Sequence, residues 1–416
     1  MNRDERNDMG YIDREREAKL LRKKKRKKAR IIKRVIIGVE VFVSVILLLL
    51  IILLKMPNAK STLINAPFGK FLLKFLISED SVNNVIDTTF DDNDVKQNEE
   101  LNTDVMDEYI NLLLFGVDSR DDALDSITHS DSMILISINK TTSEVKMVSL
   151  YRDTFLRIMY NDGSSTYKKL NYSYFVGGPV CTINTINMNY DLNITDYATV
   201  NFAGLADIID ALGGVDVLLT RSEMYYTNIY LEETMKVTGR TTNYLTTYST
   251  NGEKIHLDGL QAVAYCRIRY TKYYGEDGTE ANNDMGRTCR QRNVISKLIA
   301  KAKTAGTDAL LEIANAMFES QSETKTFITS LTYDEIIDLI PILIKCTFYN
   351  DAEKSGFPYE YGFDTINYES MVTAEDLVTN VKALHEYLYG ETDYEPTSTV
   401  KRISEILDLI AGEETD

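Results

Sequence analysis

The sequence predicts an α/β fold, in which a central mixed sheet is flanked by helices, behind one N-terminal transmembrane helix. Three observations predict it. Residues 109–220 alternate between strand-like and helix-like patterns, which is typical of a sheet covered by helices on both faces. Residues 35–54 form one apolar run. The charge of the chain changes sign across this run, which indicates that its two sides lie in different compartments.

The N-terminal segment indicates a membrane anchor. Residues 1–34 carry 15 Lys and Arg against 6 Asp and Glu, a net charge of +9, and since the whole chain of 416 residues has a charge of −17, the remainder carries −26. The run at 35–54 has 20 residues with Glu40 as its one charge, which is long enough to cross a bilayer as a helix. The basic block at 22–30 precedes it, so the positive-inside rule predicts a cytoplasmic N-terminus and an external body.

Two other interpretations of this segment fit the residues less well. A cleaved signal peptide has a shorter apolar run, and no small-x-small site follows closely. The basic block could bind nucleic acid, but beside a membrane span it more simply meets anionic lipid head groups. We therefore expect a single-pass type II membrane protein with no nucleic-acid partner. Its predicted organisation is a cytoplasmic tail at 1–34, a transmembrane helix at 35–54, an acidic stalk at 55–104, a main folded domain at 105–390 and a helical tail at 391–416.

The folded body begins near residue 106. Residues 109–118, YINLLLFGVD, are apolar on both faces, as expected of a central strand covered on both sides. Residues 221–252 are rich in Tyr, Thr and Asn and fit either an edge hairpin or a lid. Further strands are predicted at 130–139, 144–153, 197–202 and 214–220. Helices are predicted at 179–190, 203–212, 259–266, 284–303, 308–318, 333–344, 374–389 and 400–410.

Cysteine and histidine spacing gives no metal motif. The four cysteines are widely separated, and the three histidines are far apart in sequence, so no zinc-site spacing is present. Cys266 and Cys289 flank a loop between two groups of arginines and are the first pair to test for a disulfide. Free buried thiols are the expectation for all four cysteines.

Arginines are concentrated around that polar, Gly-containing loop. They are Arg267, Arg269, Arg287 and Arg290. The helix after the loop, with Asn283 or Asp284 as its N-cap, places Asp284, Arg287 and Gln291 at i, i+3 and i+7, hence on one face. The same line continues through apolar Ile295, Leu298 and Ala302, so the charged residues should point into the protein.

Unpaired charge in such a position is costly, which predicts a cleft with an ionic ligand. The N-terminus of a helix is a suitable site for phosphate. The alternative is a salt-bridged start of the helix, with Asp284 paired to Arg287 or Arg290.

A second polar group lies at predicted strand ends. Asp118 ends the first strand, Asp131 lies at the start of the second, and Arg152 follows Val148 and Leu150 on one face of the third. Ligands of open α/β sheets bind outside the carboxyl ends of the strands. Carboxylates beside arginines fit a site shared by Mg²⁺ and a phosphate. Without a phosphate, the same residues would form a structural ion-pair network.

Several motifs occur in a fixed order over residues 110–300. They are LLLFGVDSR (112–120), HSDSMILISIN (129–139), VKMVSLYRDT (145–154), KLNYSYFVGG (169–178), VNFAGLADIIDALGGVDV (200–217), LDGLQAVAYCRIRY (257–270) and NDMGRTCRQRNVI (283–295). In this order they resemble the LytR–CpsA–Psr proteins of Gram-positive cell envelopes, and a weaker likeness extends to about residue 390. A membrane anchor and an external body fit the resemblance.

The resemblance implies an α/β sandwich with a hydrophobic pocket for a lipid. It implies a phosphotransferase that moves a glycopolymer, such as teichoic acid or capsular polysaccharide, from a polyprenyl-pyrophosphate carrier to peptidoglycan. The expected partners are the lipid-linked glycan, peptidoglycan and the membrane of a Gram-positive-type envelope. Two alternatives stay open: hydrolysis of polyprenyl pyrophosphates by the same site, and a non-enzymatic, membrane-anchored binding or regulatory protein.

The resemblance also assigns roles to residues. It gives Asp118 and Asp131 as carboxylates that bind Mg²⁺. The residues implied to bind the phosphates are Arg152, Arg269, Arg287, Gln291 and, as a further contact, Arg267. The implied catalytic set is Asp118, Arg152, Arg269, Asp284 and Arg287, and the general base stays open between Asp118 and Asp284.

The sequence departs from the family pattern at two positions. His129 stands where the family usually has Arg, which could weaken one phosphate contact or make it pH-dependent. Tyr151 stands where the family tends to have Pro, and this difference is expected to concern structure alone.

Overall fold

The computed structural model describes residues 94–118, 124, 128–323, 325–349, 351 and 353–413. They belong to one compact unit, Asn84–Asp416. The predicted cytoplasmic tail, the transmembrane helix and most of the stalk lie outside the described residues. Within the described ranges, no helix is both long and apolar enough to span a membrane.

Strands and helices alternate along the described chain. The strands are β1 (Tyr109–Val117), β2 (Ser130–Asn139), β3 (Glu144–Leu150), β4 (Phe155–Met159), β5 (Ser165–Lys169), β6 (Asp196–Val200), β7 (Val215–Val217), β8 (Ile255–Leu257), β9 (Tyr273–Tyr274), β10 (Glu280–Ala281), β11 (Phe327–Thr329), β12 (Thr347–Phe348), β13 (Gly356–Phe357), β14 (Tyr361–Ile366) and β15 (Glu369–Ala374). The helices are α1 (Leu170–Tyr190), α2 (Phe202–Ala211), α3 (Arg221–Thr238), α4 (Gly259–Cys266), α5 (Asn283–Ala305), α6 (Thr307–Glu323), α7 (Tyr333–Lys345), α8 (Leu377–Tyr389) and α9 (Ser398–Glu413).

A mixed sheet of seven strands forms the centre of the fold. Its order is β11-β6-β1-β2-β3-β12, and β13 also pairs with β3. β1 is parallel to β6 and antiparallel to β2, where Leu113 lies opposite Leu135. β2 is antiparallel to β3, where Leu135 lies opposite Val148. The predicted α/β class with a mixed sheet is therefore confirmed.

The third strand ends earlier than the sequence predicts. β3 stops at Leu150, and Thr154 donates a backbone hydrogen bond to the Tyr151 carbonyl at 3.0 Å. This tight turn ends the strand, so Arg152 lies in the turn and not on the face of a strand. The prediction of a strand to residue 153 was wrong in this respect.

One face of the sheet carries the main apolar core. Leu113 of β1 and Leu135 of β2 are fully buried in one cluster with Ile183 of α1 and Leu384 of α8. Ile403 of α9, which lies in the predicted C-terminal tail, is buried in the same cluster. Burial of a side chain of this size contributes about 1.5–3 kcal/mol.

The opposite face of the sheet is less closed. The buried residues of the apolar cluster on this face are Ile134, Ile136, Val145 and Cys346. Residues packed around them are only partly buried, namely Leu114, Ile138, Met147, Ile295, Ile299, Leu343 and Phe348. The sheet therefore has one tightly packed face and one face with an incompletely filled apolar layer.

The segment at 221–252, for which the sequence left a hairpin or a lid open, begins with a helix. Thr220 accepts from the Glu223 amide at 3.2 Å, and the Glu223 carboxylate accepts from the Thr220 amide at 3.0 Å. This capping box starts α3, and Gly239, with a φ of +66°, ends it. Leu231 of α3 is buried in a second apolar core, together with Leu257 of β8 and Val263 of α4.

Two other predicted boundaries differ from the structure. The helix predicted at 374–389 begins only at Leu377, because Asp376 accepts from the Val378 amide and caps it after β15. The helix predicted at 179–190 is extended towards the N-terminus as α1, with non-helical backbone at Gly177 and Gly178.

Residues 94–101, which fall in the segment predicted as a stalk, pack against α1. Asn98 is 2% exposed, and its Nδ2 donates to Asp191 Oδ1 at 2.5 Å. The backbone amide of Lys96 donates to Asn184 Oδ1 at 2.6 Å.

Candidate functional site

The ends of β1 and β2 place two carboxylates at one edge of the sheet. Gly116 lies opposite Ser132 and Val117 lies opposite Ser130, with a bulge between the two pairs. Asp118 directly follows β1, and Asp131 lies at the start of β2. Since the strands are antiparallel neighbours, the end of one and the start of the other meet at this edge.

The turn after β3 adds Arg152 to the same edge. Its Nη1 donates to Asp131 Oδ1, and its Nε lies 3.6 Å from Asp153 Oδ2. The backbone carbonyl of Arg152 accepts from the Asn171 amide at 2.9 Å. The guanidinium is therefore held by carboxylates, while its backbone is fixed to the start of α1.

Arg152, Arg269 and Arg287 form one cluster, called the arginine cluster below. Arg287 is the most buried of the three. It is 4% exposed, and its Nη2 donates to Asp284 Oδ2 at 3.0 Å. Arg269 Nε lies 3.4 Å from the other oxygen, Asp284 Oδ1. The Nε of Arg287 is buried and has no hydrogen-bond partner among the described residues. A buried guanidinium with an unused donor is the arrangement expected where an anionic ligand binds.

The charges around Arg287 join the two predicted polar groups into one site. Burial lowers the pKa of Arg287 to about 10, and the Asp284 carboxylate opposes this shift. The charges of Arg269 and Arg152 lower the same pKa further, whereas Asp131 raises it. Residues from β2, the turn after β3, the loop after α4 and the start of α5 are thus close enough to interact.

The start of α5 differs slightly from the prediction. Asn282 is the N-cap, one residue before the two predicted candidates. The predicted salt-bridged start is present as the pair of Asp284 and Arg287, and Arg269 contacts the same carboxylate. Leu298 and Ala302 are buried, which confirms that this line of α5 continues into the core.

Gln291 and Arg267 are held by other parts of the protein. Gln291 Oε1 accepts from Ser132 Oγ at 2.9 Å, and its Nε2 donates to the Cys266 carbonyl at 3.4 Å. Arg267 donates to Thr234 Oγ1 and Glu233 Oε2, both at 2.9 Å. The structure therefore brings Gln291 to the sheet edge and ties Arg267 to α3. Their roles as phosphate contacts stay predictions.

Arg290 forms an ion pair inside the protein. It is fully buried and donates from Nε to Glu223 Oε1 at 3.0 Å. Its Nη1 and Nη2 donate to the carbonyls of Ile268 and Thr271 at 3.3 and 3.1 Å. The pair fixes the loop that carries Arg269. Sequence reasoning did not identify Glu223, although the T-x-x-E pattern at 220–223 was a signal that a helix starts there.

The two departures from the family pattern occupy different environments. The His129 ring stacks on Phe175 with 4.6 Å between centroids, and its Nδ1 lies 3.3 Å from the Asn171 carbonyl. His129 therefore lies beside the residue that fixes Arg152. Tyr151 packs with its hydroxyl against Gly356, where a Cβ would lie 2.2 Å from that oxygen.

The cysteines are free, as expected. Cys266 is buried, and burial raises its pKa to about 12. Cys289 Sγ accepts from Arg292 Nη2 at 3.3 Å. The pair that flanks the arginine loop is not a disulfide, and both thiols are held within the packed structure.

The chemistry of the donors fits Mg²⁺ in one specific way. Among the described residues, no group of three His, Cys, Asp or Glu side chains converges to bind a metal ion. Mg²⁺ commonly takes one or two protein carboxylates and completes its coordination with waters and substrate phosphates. Asp118 and Asp131 are two carboxylates at one edge and meet that requirement.

A cavity of about 370 Å³ lies along α5. Its lining is mixed: Met147, Phe348 and Tyr349 face it together with Arg292 and Lys297. Arg292 donates to Ser149 Oγ of β3 at 2.5 Å. The cavity therefore opens beside the less closed face of the sheet.

Known proteins are similar to this chain in sequence. The LytR_cpsA_psr family matches residues 75–345. A Bacillus cereus protein named polyisoprenyl-teichoic acid–peptidoglycan teichoic acid transferase TagU is 32% identical over 248 residues, 60% of this chain and 68% of that protein. A protein of the same name from Enterococcus faecalis is 28% identical over 55% of this chain and 64% of its own length.

Solved structures agree on the fold. An Enterococcus faecalis protein described as a transcriptional regulator superposes with a TM-score of 0.51 at 24% identity, over 74% of this chain and 97% of that one. A Streptococcus agalactiae protein gives a TM-score of 0.51 at 21% identity, over 71% and 92%. At these identities the likeness concerns the fold alone.

Proposed function

Since this chain belongs to the LytR–CpsA–Psr family, we propose that it is a membrane-anchored phosphotransferase that moves a glycopolymer from a polyprenyl-pyrophosphate carrier to peptidoglycan. The name of the Bacillus cereus relative supports this reaction class. The observation that carries the proposal is the buried guanidinium of Arg287, with an unused Nε donor, among the charges of Arg152 and Arg269.

The three arginines suit a pyrophosphate. A guanidinium binds two phosphate oxygens at once through its planar fork. Arg152 and Arg269 are the more accessible of the three, with side chains 18% and 35% exposed, while Arg287 is at the back of the cluster. A pyrophosphate would take its charge neutralisation from all three. Such a site is already arranged before the substrate arrives, which is the main requirement for electrostatic catalysis.

The proposed reaction is a substitution at phosphorus. A sugar hydroxyl of peptidoglycan forms a bond to the phosphorus that carries the glycopolymer, and the bond from this phosphorus to the bridging oxygen breaks. Polyprenyl phosphate leaves with the electron pair of the broken bond. The hydroxyl proton passes to a carboxylate of the site, for which Asp118 and Asp284 are the candidates. Both oxygens of Asp284 already lie near guanidinium groups, at 3.0 and 3.4 Å, and Asp118 is a candidate metal ligand, so the base stays open between the two.

We propose Mg²⁺ as the cofactor. Asp118 and Asp131 would hold it, and when bound it would supply positive charge beside the phosphates. Arg152 pairs with Asp131, so a pyrophosphate that binds Arg152 in its place would leave this carboxylate free to hold the metal.

The less closed face of the sheet provides a place for the carrier lipid. Leu114, Met147 and Ile295 are only partly buried there, and the cavity along α5 opens beside them. Apolar atoms of a polyprenyl chain would complete their burial, at about 25 cal/mol per Å² removed from water. The predicted type II anchor would keep the site on the outer side of the membrane, where its acceptor lies.

Transfer can be tested with the full chain in lipid vesicles. The reaction contains peptidoglycan and a lipid-linked glycopolymer with a radiolabel in the glycopolymer. The label is measured in three fractions: bound to peptidoglycan, free in solution and bound to lipid. Label in peptidoglycan is the expected result. Free glycopolymer phosphate alone would indicate the hydrolase, and lipid retained without turnover would indicate a binding protein.

The matched variants are Arg287→Lys and, as a control at the surface, Arg240→Lys. Arg240 pairs with Asp207 of α2 through two hydrogen bonds at the surface. Equal transfer by both variants would reject the role of Arg287.

A further inference from the structure

Three neighbouring tyrosines lie at the surface: Tyr225 and Tyr226 on α3, and Tyr270 in the loop at 267–282, called the arginine loop. Tyr225 is 61% exposed and Tyr270 is 73% exposed. The ring centroids of Tyr225 and Tyr226 are 5.4 Å apart, and those of Tyr226 and Tyr270 are 6.2 Å apart. Ile229, one helical turn after Tyr225, extends the surface and is 47% exposed. A contiguous exposed patch of this kind usually marks a binding surface.

The row leads directly to the candidate site. Tyr270 follows Arg269 in the chain, and Arg269 contacts Asp284 of the cluster. Tyr230, one turn after Tyr226, lies under the guanidinium of Arg267 at 5.4 Å from the ring centroid. Burial raises the pKa of Tyr230, and Tyr270 and Arg269 are among the groups that affect it. The tyrosines and the arginines thus form one continuous surface.

Hydrogen bonds fix the arginine loop to α3 beneath this surface. Thr271 Oγ1 donates to Ser222 Oγ at 2.7 Å and joins the loop to the start of α3. The Thr271 carbonyl accepts from buried Arg290, whose partner is Glu223 of the same helix. Both supports of the tyrosine row are therefore fixed to each other, so the spacing of the rings is set before a ligand binds.

Tyrosine is suited to sugar rings. The electron-rich face of the phenol attracts the weakly positive C–H bonds on one side of a pyranose ring, and its hydroxyl exchanges hydrogen bonds with sugar hydroxyls. The phosphates of the carrier would instead bind at the arginines. Three neighbouring tyrosine rings beside a cluster proposed to bind phosphates match a glycan that approaches the reacting phosphorus from outside.

The charge on α3 argues against a membrane surface as the occupant. A helix that binds a membrane carries an excess of Lys and Arg beside its apolar side chains. On α3 the exposed Arg221 and Lys236 are balanced by the exposed Glu232 and Glu233. The exposed charges of α3 therefore lack the excess of Lys and Arg that binding to anionic lipid requires, which favours a sugar chain as the occupant.

We propose that Tyr225, Tyr226 and Tyr270 form the docking surface for the acceptor, a β-1,4-linked N-acetylhexosamine strand of peptidoglycan. This inference rests on the proposed transferase function, because it names where that reaction takes its acceptor. The strand lies across the tyrosines and presents a hydroxyl at the arginine cluster.

Binding is tested by calorimetric titration of the full chain in detergent micelles with a peptide-free octasaccharide of the peptidoglycan backbone. The double variant Tyr225→Ala/Tyr270→Ala should bind the octasaccharide about tenfold more weakly, since each lost ring removes a stacking contact. The variant Tyr368→Ala removes a fully exposed tyrosine from the turn between β14 and β15, and it should bind like wild type. Thermal unfolding of all three proteins should coincide, because the replaced side chains are exposed.

Kinetics separates docking from a general loss of activity. In the double variant the KM for the acceptor should rise about tenfold, while the KM for the lipid-linked glycopolymer stays unchanged. The variant Tyr225→Phe/Tyr270→Phe keeps the ring faces and should regain most of the affinity.

Two results would overturn the inference. They are no octasaccharide binding by wild type, and equal octasaccharide binding by wild type and the double variant. If the tyrosines bind the octasaccharide and wild type still transfers nothing, the docking surface stands and the transferase function fails. If transfer proceeds with an unchanged acceptor KM in the double variant, the function stands and the docking surface is rejected.

Discussion

Glu223 and Arg290 form an ion pair that is closed to solvent, with 3.0 Å between Oε1 and Nε and exposures of 1% and 0%. The two residues lie on different helices, α3 and α5. Arg290 also donates to two backbone carbonyls of the arginine loop. A buried charge that loses its partner is strongly destabilising. The pair therefore provides a direct test of how the site is supported.

Glu223→Gln should destabilise the protein by about 3–5 kcal/mol, because Arg290 would keep a buried charge without its partner. Denaturant unfolding of the variant and of wild type measures the difference. Glu232→Gln, on the exposed side of the same helix, is the control and should unfold like wild type. Equal stability of Glu223→Gln and the control would contradict the structural role of the pair.

Arg287→Lys should reduce transfer by about 30- to 900-fold, which corresponds to about 2–4 kcal/mol of lost transition-state stabilisation. Lysine keeps the charge but cannot donate to two phosphate oxygens in one plane. Transfer rate and thermal unfolding are measured together, with Arg240→Lys as the control. If Arg287→Lys is active and unstable, the pair with Asp284 is structural and the anion-binding role is rejected.

Removal of divalent cations should abolish transfer and leave lipid retention largely intact, because the carrier is proposed to contact the apolar layer beneath α5 as well. Turnover and retained lipid are followed across a magnesium titration for wild type, Asp118→Asn and Asp131→Asn. Both variants should need more magnesium or fail to respond to it. Full wild-type turnover in excess chelator would exclude the metal, whatever the variants do.

Protease added to intact protoplasts should remove the folded body and leave a protected fragment of roughly 6–10 kDa, as expected for a type II anchor with a basic cytoplasmic tail. The fragment is detected with an antibody to the first 34 residues. The control is the same digestion after permeabilisation, which should remove the tail as well. A fully protected body in intact protoplasts would reverse the predicted topology.

The sequence predicted the centre of the fold because local patterns define it. β1 and β2 each have continuous apolar residues between polar ends, and both strands were found within one residue of their predicted limits. The edge strands β11 and β12 have three and two residues, too few to show a period. α3 was not recognised because Tyr and Thr favour strands in isolation, whereas its capping box and the packing of Leu231 determine a helix.

The site was predictable in composition but not in its internal pairing. Asp118 and Asp131 could be placed at strand ends, and Asp284 and Arg287 on one face of a helix. Arg152 instead lies in the turn after β3 and not on the strand face that periodicity predicted. Arg290 and Glu223 are 67 residues apart in the sequence, and no local sequence pattern predicts a contact between residues so far apart. The same holds for Arg267, whose partners Glu233 and Thr234 lie on a helix that the sequence did not predict.

The ion pairs of Asp131 and Asp284 with arginines affect which anions the site can bind. Each aspartate already neutralises an arginine of the cluster, so the protein supplies its own counter-ions and a ligand must displace them. A ligand of low charge density recovers too little attraction to separate Arg152 from Asp131, whereas a pyrophosphate brings several anionic oxygens at once. Inorganic pyrophosphate should accordingly inhibit more strongly than orthophosphate at equal ionic strength, and equal inhibition would contradict the exchange. In the proposed site, the two aspartates would therefore exclude anions of low charge density while the carrier is absent.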